Sequence, residues 1–194
     1  VGAERRGLVV GGLVFSLVPI FYLHVVSAGQ LDPVADVISD YVFVHNGTGW
    51  LAATSLSLAA VSALLAVNLR GVGRSAQWLI GIWSAGLTVS TIFPTDPTGA
   101  PTSVSGYIHR YAGAVMFVAL PAAGLLIART FPALLGVAIT ASVSSAAFLV
   151  SHVSFAGFEA RGLAERVLFA SLYGLLFAIA ALQVRLPGSR TWRT

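Results

Sequence analysis

Six apolar runs, at residues 8–27, 48–69, 75–94, 108–128, 132–153 and 163–184, constrain this chain more than any motif in it. Each is close to the roughly 20 residues that an α-helix needs to cross the hydrocarbon of a bilayer. Charged residues amount to 9% and hydrophobic ones to 57%, whereas a soluble domain carries about 25% charged residues. The expected fold is therefore all-α: a six-transmembrane-helix bundle forming a single domain over residues 1–194. The first run follows Arg5 and Arg6, as a signal peptide would. Its length exceeds that of an ordinary signal-peptide core, so it is read as a retained helix.

All 11 cations are arginines. Arg5, Arg6, Arg70, Arg74, Arg129, Arg185, Arg190 and Arg193 fall on one side of a six-span chain, and only Arg110, Arg161 and Arg166 on the other. The positive-inside rule then puts both termini in the cytoplasm and makes this a multi-pass protein of the cell membrane. The same placement explains the net charge of +4 as topology, with no nucleic-acid partner. The absence of cysteine excludes disulfides, thiolate metal sites and cysteine nucleophiles.

Acids and histidines follow the opposite asymmetry. Asp32, Asp36, Asp40, Asp96, Glu159 and Glu165 lie in or beside the outer connections, as do His24, His45, His109 and His152; only Glu4 is on the inner side. Ionisable groups near a bilayer core are costly and tend to be functional. The first outer connection, 28–47, holds Asp36 and Asp40 at i, i+4 among apolar residues, the pattern of a short helix in the interface. Asp96 is bracketed by Pro94 and Pro97, which end the third run.

Direction is read from small residues, which mark helix-facing sides in membranes. Gly7 and Gly11 predict a close approach of the first helix. His152 shares a face with Ala141 and Ser145, and Arg166 shares one with Ala170, Tyr173, Gly174 and Phe177, so both are expected to point inward. His109 stands one turn before Gly113.

These residues suit several chemistries. Asp40, Asp96, His109 and His152 are the candidate catalytic residues for acid–base chemistry. Arg166, Arg110 and His45 are the candidate substrate-binding residues, the arginines suited to an anion. His45, His109 and His152 with an aspartate resemble a zinc ligand set, yet no two histidines lie within one helical turn, so no metal ligand is assigned. A haem between His109 and His152 is a second option, set against the lack of histidines on the inner side. The cofactor is left unknown.

Ser39-Asp40, Phe93-Pro94-Thr95-Asp96, His109 and Gly162-Leu-Ala-Glu165-Arg166 resemble the domain-of-unknown-function family 998, small bacterial and archaeal membrane proteins of about six spans. The resemblance covers nearly the whole chain. It implies the six-helix architecture, singles out Asp40, Asp96, His109 and Arg166, and brings no activity. The expectation is an enzyme with a polar site at the outer leaflet, acting on a lipid, isoprenoid or envelope precursor, with membrane lipids around it and a lipid-like small molecule as substrate. The alternative is a non-enzymatic accessory subunit bound to a membrane-protein partner, or a small transporter.

Overall fold

The computed structural model describes residues 2–69, 71–153 and 160–182. Arg70, Glu159, Arg185, Arg190, Arg193 and the basic tail fall outside the described residues. Six helices form in chain order: α1 (Gly2–Val26), α2 (Gly47–Asn68), α3 (Arg74–Ile92), α4 (Val104–Ala128), α5 (Leu135–Val153) and α6 (Arg161–Leu182). A 3-10 helix, Ile38–Phe43, lies in the α1–α2 connection, and another, Pro132–Leu134, leads into α5. Successive helices pack as neighbours, α3 with α4 most extensively, and α6 closes the ring against α1.

Five of these helices are long and apolar enough to cross a membrane: those at Arg6–Val26, Gly47–Asn68, Val104–Ala128, Pro132–His152 and Arg161–Leu182. α3 is not among the five. Its 19 residues include Arg74, Ser75, Gln77, Ser84, Thr88, Ser90 and Thr91, which dilute its hydropathy. The hydroxyls of Ser84, Thr88 and Thr91 each donate to the carbonyl four residues back. The polar stripe is thus satisfied within the helix itself, which lets α3 pack between α2 and α4.

The core is continuous along the bundle. Trp83, fully buried, donates its indole N–H to Ser62 Oγ on α2 at 3.1 Å. Next to it, Phe117 meets Phe148 and Phe169 edge-on at centroid distances of 5.4 and 5.5 Å, uniting α4, α5 and α6. Outward-facing side chains such as Val25, Val67, Val143 and Phe15 are large, apolar and exposed. That surface is what a helix facing lipid presents.

The small-residue reading fails at two places. Gly7 and Gly11 have no neighbour where a side chain would stand; the close approach is made by Gly12, against Val61. On α6, Ala170 and Gly174 are exposed. Arg166 and Tyr173 on the same face do point into the bundle, so the inward side is right and the small residues beside them make no helix contact.

Candidate functional site

The α1–α2 connection is strapped onto the start of α6. Asp32 and Asp36 fold the strap locally: the Asp32 amide donates to Asp36 Oδ2, and the Val34 amide to Asp32 Oδ1, both at 2.8 Å. The Leu163 amide then donates to the Val34 carbonyl at 3.0 Å, satisfying one of the N–H groups that a helix start leaves unpaired. Glu165 accepts the Ile38 amide. Gly162 makes the approach feasible, since a methyl group in its place would overlap the Asp36 carbonyl.

Arg166 locks the strap. Its Nη1 donates to the Asp36 carbonyl at 2.7 Å and the Gly162 carbonyl at 3.0 Å. Its Nη2 donates to the Tyr41 hydroxyl at 3.0 Å, and its Nε–H to His24 Nε2 at 3.2 Å. Because His24 Nδ1 faces the Ile20 carbonyl at 2.8 Å, that nitrogen carries the proton and Nε2 is the acceptor. Four of the five guanidinium donors are therefore used within the protein. Arg166 shares its face with Tyr173, whose hydroxyl meets Ser16 Oγ on α1 at 3.0 Å. It looks toward α1, where the sequence reading had it facing a substrate.

The α3–α4 connection is folded back over the ends of the two helices it joins. The Ser103 amide donates to Asp96 Oδ2 at 2.8 Å, and the Ser103 hydroxyl caps α4 by accepting from the Gly106 amide at 3.1 Å. Gly106 is again a place where a side chain would overlap a partner, the Asp96 carboxylate. The Ser103 hydroxyl and amide hold the Asp96 carboxyl below the usual carboxylate range. His109 Nδ1 meets the carbonyls of Ser90 and Phe93 at 3.0 and 2.9 Å. Two carbonyls can only accept, so Nδ1 carries the proton and Nε2 is left with its lone pair.

Between these two folded connections lies a cavity of about 700 Å³. Its apolar floor is Leu87, Met116, Phe117, Phe148, Leu149 and Phe169. Its upper wall carries Asp40, Asp96, Glu165, His109, His152 and two arginines, Arg110 and Arg161. Tyr107 and Tyr111, stacked at 6.5 Å and largely exposed, form part of its lip. From Tyr107 down to Phe117 the wall of α4 descends about 15 Å at the helical rise. Asp40 is buried and accepts one hydrogen bond, from the Val37 amide at 3.1 Å. Burial raises its pKa, reinforced by Asp36 and opposed by that amide and by Arg161 and Arg166.

The family described as "Protein of unknown function (DUF998)" matches residues 9–182. The chain belongs to this family. No curated protein and no solved structure matches it. Of the DUF998 chain's seven sequence-derived candidates, Asp40, Asp96, His109, His152 and Arg110 stand on the wall of one cavity. His152, beside Phe148 at a centroid distance of 5.1 Å, is exposed where the wall opens. His45 is exposed and Arg166 is committed to the strap; neither lines the cavity. Among the described residues, no three His, Asp or Glu side chains lie close enough to hold a metal ion. The acids and histidines are spread round the wall, several of them tied to backbone groups.

Sequence reasoning missed Arg161 and Glu165 as wall residues. Their signal was present: Arg161, Glu165 and Phe169 recur at i, i+4, i+8, one stripe of α6.

Proposed function

We propose that this DUF998 chain is a six-span membrane enzyme, with both termini cytoplasmic, that takes an amphiphile from the outer leaflet into its cavity and acts on the headgroup by acid–base chemistry. A lipid, isoprenoid or envelope precursor is the substrate class. The carrying observation is the cavity itself: an aromatic floor with three carboxyl groups, two histidines and two arginines above it. That division matches a molecule with an apolar tail and a polar head.

Support for the sixth span comes from α3 lying between α2 and α4. Its 19 residues extend about 28 Å, close to the ~30 Å hydrocarbon thickness. Trp78 is exposed near its start, and Tyr22, Trp50, Tyr107 and Tyr111 are exposed at the opposite end of the bundle, as two interfacial belts would be. The exposed Arg6, Arg74 and Arg129 lie at the Trp78 end, which favours an outward cavity.

In this reading Asp40 is the proton donor, because burial keeps its carboxyl protonated to higher pH than an exposed aspartate. His109 Nε2 is the acceptor, held by the two carbonyls behind it. Asp96 and Glu165 position the connections. Profiling the lipids of a host that makes the wild type, Asp40→Asn or His109→Gln at equal membrane levels tests this. A precursor that accumulates in both variants is expected, and unchanged lipids would remove the enzyme.

The binding of Asp96 and His109 to backbone groups also suits a non-enzymatic accessory subunit, whose outer polar end docks a membrane-protein partner. Affinity capture after crosslinking at Thr98 distinguishes the two: one stoichiometric partner, with host lipids unchanged, is the accessory result.

A further inference from the structure

We infer that the cavity binds a phosphate-type oxyanion, held between Arg110, Arg161 and His152, as the headgroup of an amphiphile whose tail lies on Phe117, Phe148 and Phe169. This deepens the reading above, and relies on it only for the amphiphilic character of the occupant.

The polar groups of the wall are unequally satisfied. Each acid already accepts an amide N–H: Asp40 from Val37, Asp96 from Ser103, Glu165 from Ile38. The donors are less committed: among the described residues, the Arg110 and Arg161 guanidiniums interact electrostatically with Asp96 and Asp40 without a hydrogen bond or ion pair, and His152 packs its ring on Phe148. Arg166, five residues from Arg161, shows how fully this fold can use a guanidinium when it serves structure.

Position puts these donors on one wall: Arg110 lies in the second turn of α4, Arg161 opens α6 and His152 is next to last in α5, and all three line the same cavity. Two guanidinium cations on the wall of a low-dielectric cavity attract an anion, and the His152 ring adds an N–H donor. Two guanidiniums approaching from different helices fit a tetrahedral oxyanion, which offers acceptors in several directions; one guanidinium fork would suffice for a planar carboxylate. Below, the apolar floor has room for a hydrocarbon chain and no polar partner for one.

The test is binding to purified full-length protein in a neutral detergent, read by native mass spectrometry. The probes are phosphatidic acid, diacylglycerol and a fatty acid, all with the same acyl chains. Phosphatidic acid is expected to be retained, with the other two bound at least tenfold more weakly. Arg110→Gln and Arg161→Gln should each lose about tenfold in affinity, the size of one charge-assisted contact, with thermal melting unchanged. Diacylglycerol or fatty acid binding as tightly as phosphatidic acid would overturn the phosphate assignment, as would wild-type affinity in the double variant. Inorganic phosphate that fails to displace phosphatidic acid at millimolar concentration supports the amphiphile; displacement there would assign the same oxyanion site to free phosphate. Failure of the enzyme reading is separable: it would leave host lipids unchanged in Asp40→Asn while phosphatidic acid still bound.

Discussion

Arg166 and His24 meet across the α6–α1 seam, the guanidinium Nε–H donating to the imidazole Nε2 at 3.2 Å. Together with the Tyr173–Ser16 hydroxyl contact it joins the first helix to the last, and the other donors of Arg166 hold the Asp36 and Gly162 carbonyls and the Tyr41 hydroxyl. The strap carrying Asp40 is therefore fixed to the bundle by an arginine that does not reach the cavity.

Replacing Arg166 should accordingly damage the fold before it damages any chemistry. Arg166→Gln leaves several partly buried acceptors unpaired, at a cost of about 2–4 kcal/mol. Thermal unfolding in detergent should show a clear loss for Arg166→Gln and none for Arg110→Gln. Equal losses for the two would contradict the division of labour between these arginines.

Asp96 and Asp40 should respond to pH in opposite senses. Asp96 has a folded pKa below its unfolded value of about 3.9, so the stability it contributes is present above that value and disappears as pH falls through the folded pKa. The deficit of Asp96→Asn at pH 7 should therefore shrink below about pH 4. Asp40 has a raised folded pKa, so its favourable contribution is present below about pH 4 and is lost as pH rises through the folded value. Asp40→Asn should gain on the wild type as pH increases. Melting temperatures of both variants measured across that range, and found to run in parallel, would refute the opposed assignments.

The proposed six-span topology can be read with introduced cysteines, because the chain has none of its own. Ser75 at the start of α3 and Thr98 beyond its end are both exposed. Ser75→Cys should be shielded from an impermeant thiol reagent added outside intact cells, and Thr98→Cys should be labelled. Labelling of both from one side would mean that α3 does not cross.

Much of the fold was legible because apolar length is a local property: the runs at 48–69 and 108–128 became α2 (Gly47–Asn68) and α4 (Val104–Ala128) with shifts of a few residues. The run at 75–94 also became a helix, α3, but its serines and threonines left it less apolar than the others. The short helix of the strap was legible, but its docking on α6 was not, since the partners of Arg166 and Leu163 are mostly backbone carbonyls, and a carbonyl leaves no mark on the residue type. Small residues misled for a related reason. Ala170 and Gly174 suit a lipid-facing surface as well as a helix contact, and only packing separates the two. The cavity lay between these cases: outer polar residues on four elements were visible, while their common wall required the tertiary arrangement.

The most direct test is to fill the cavity. Gly113 lines it, and a β-carbon built there meets only the edge of Phe117, at 3.9 Å, so Gly113→Phe is expected to start without a clash at its β-carbon and to direct its ring into the space above the floor. Wild type and variant, purified from the same host membranes and released into the gas phase, are compared by native mass spectrometry. The expected result is an amphiphile retained by the wild type and absent from Gly113→Phe at equal thermal stability. The same bound lipids on both proteins, or none on either, would contradict a cavity built to receive an amphiphile.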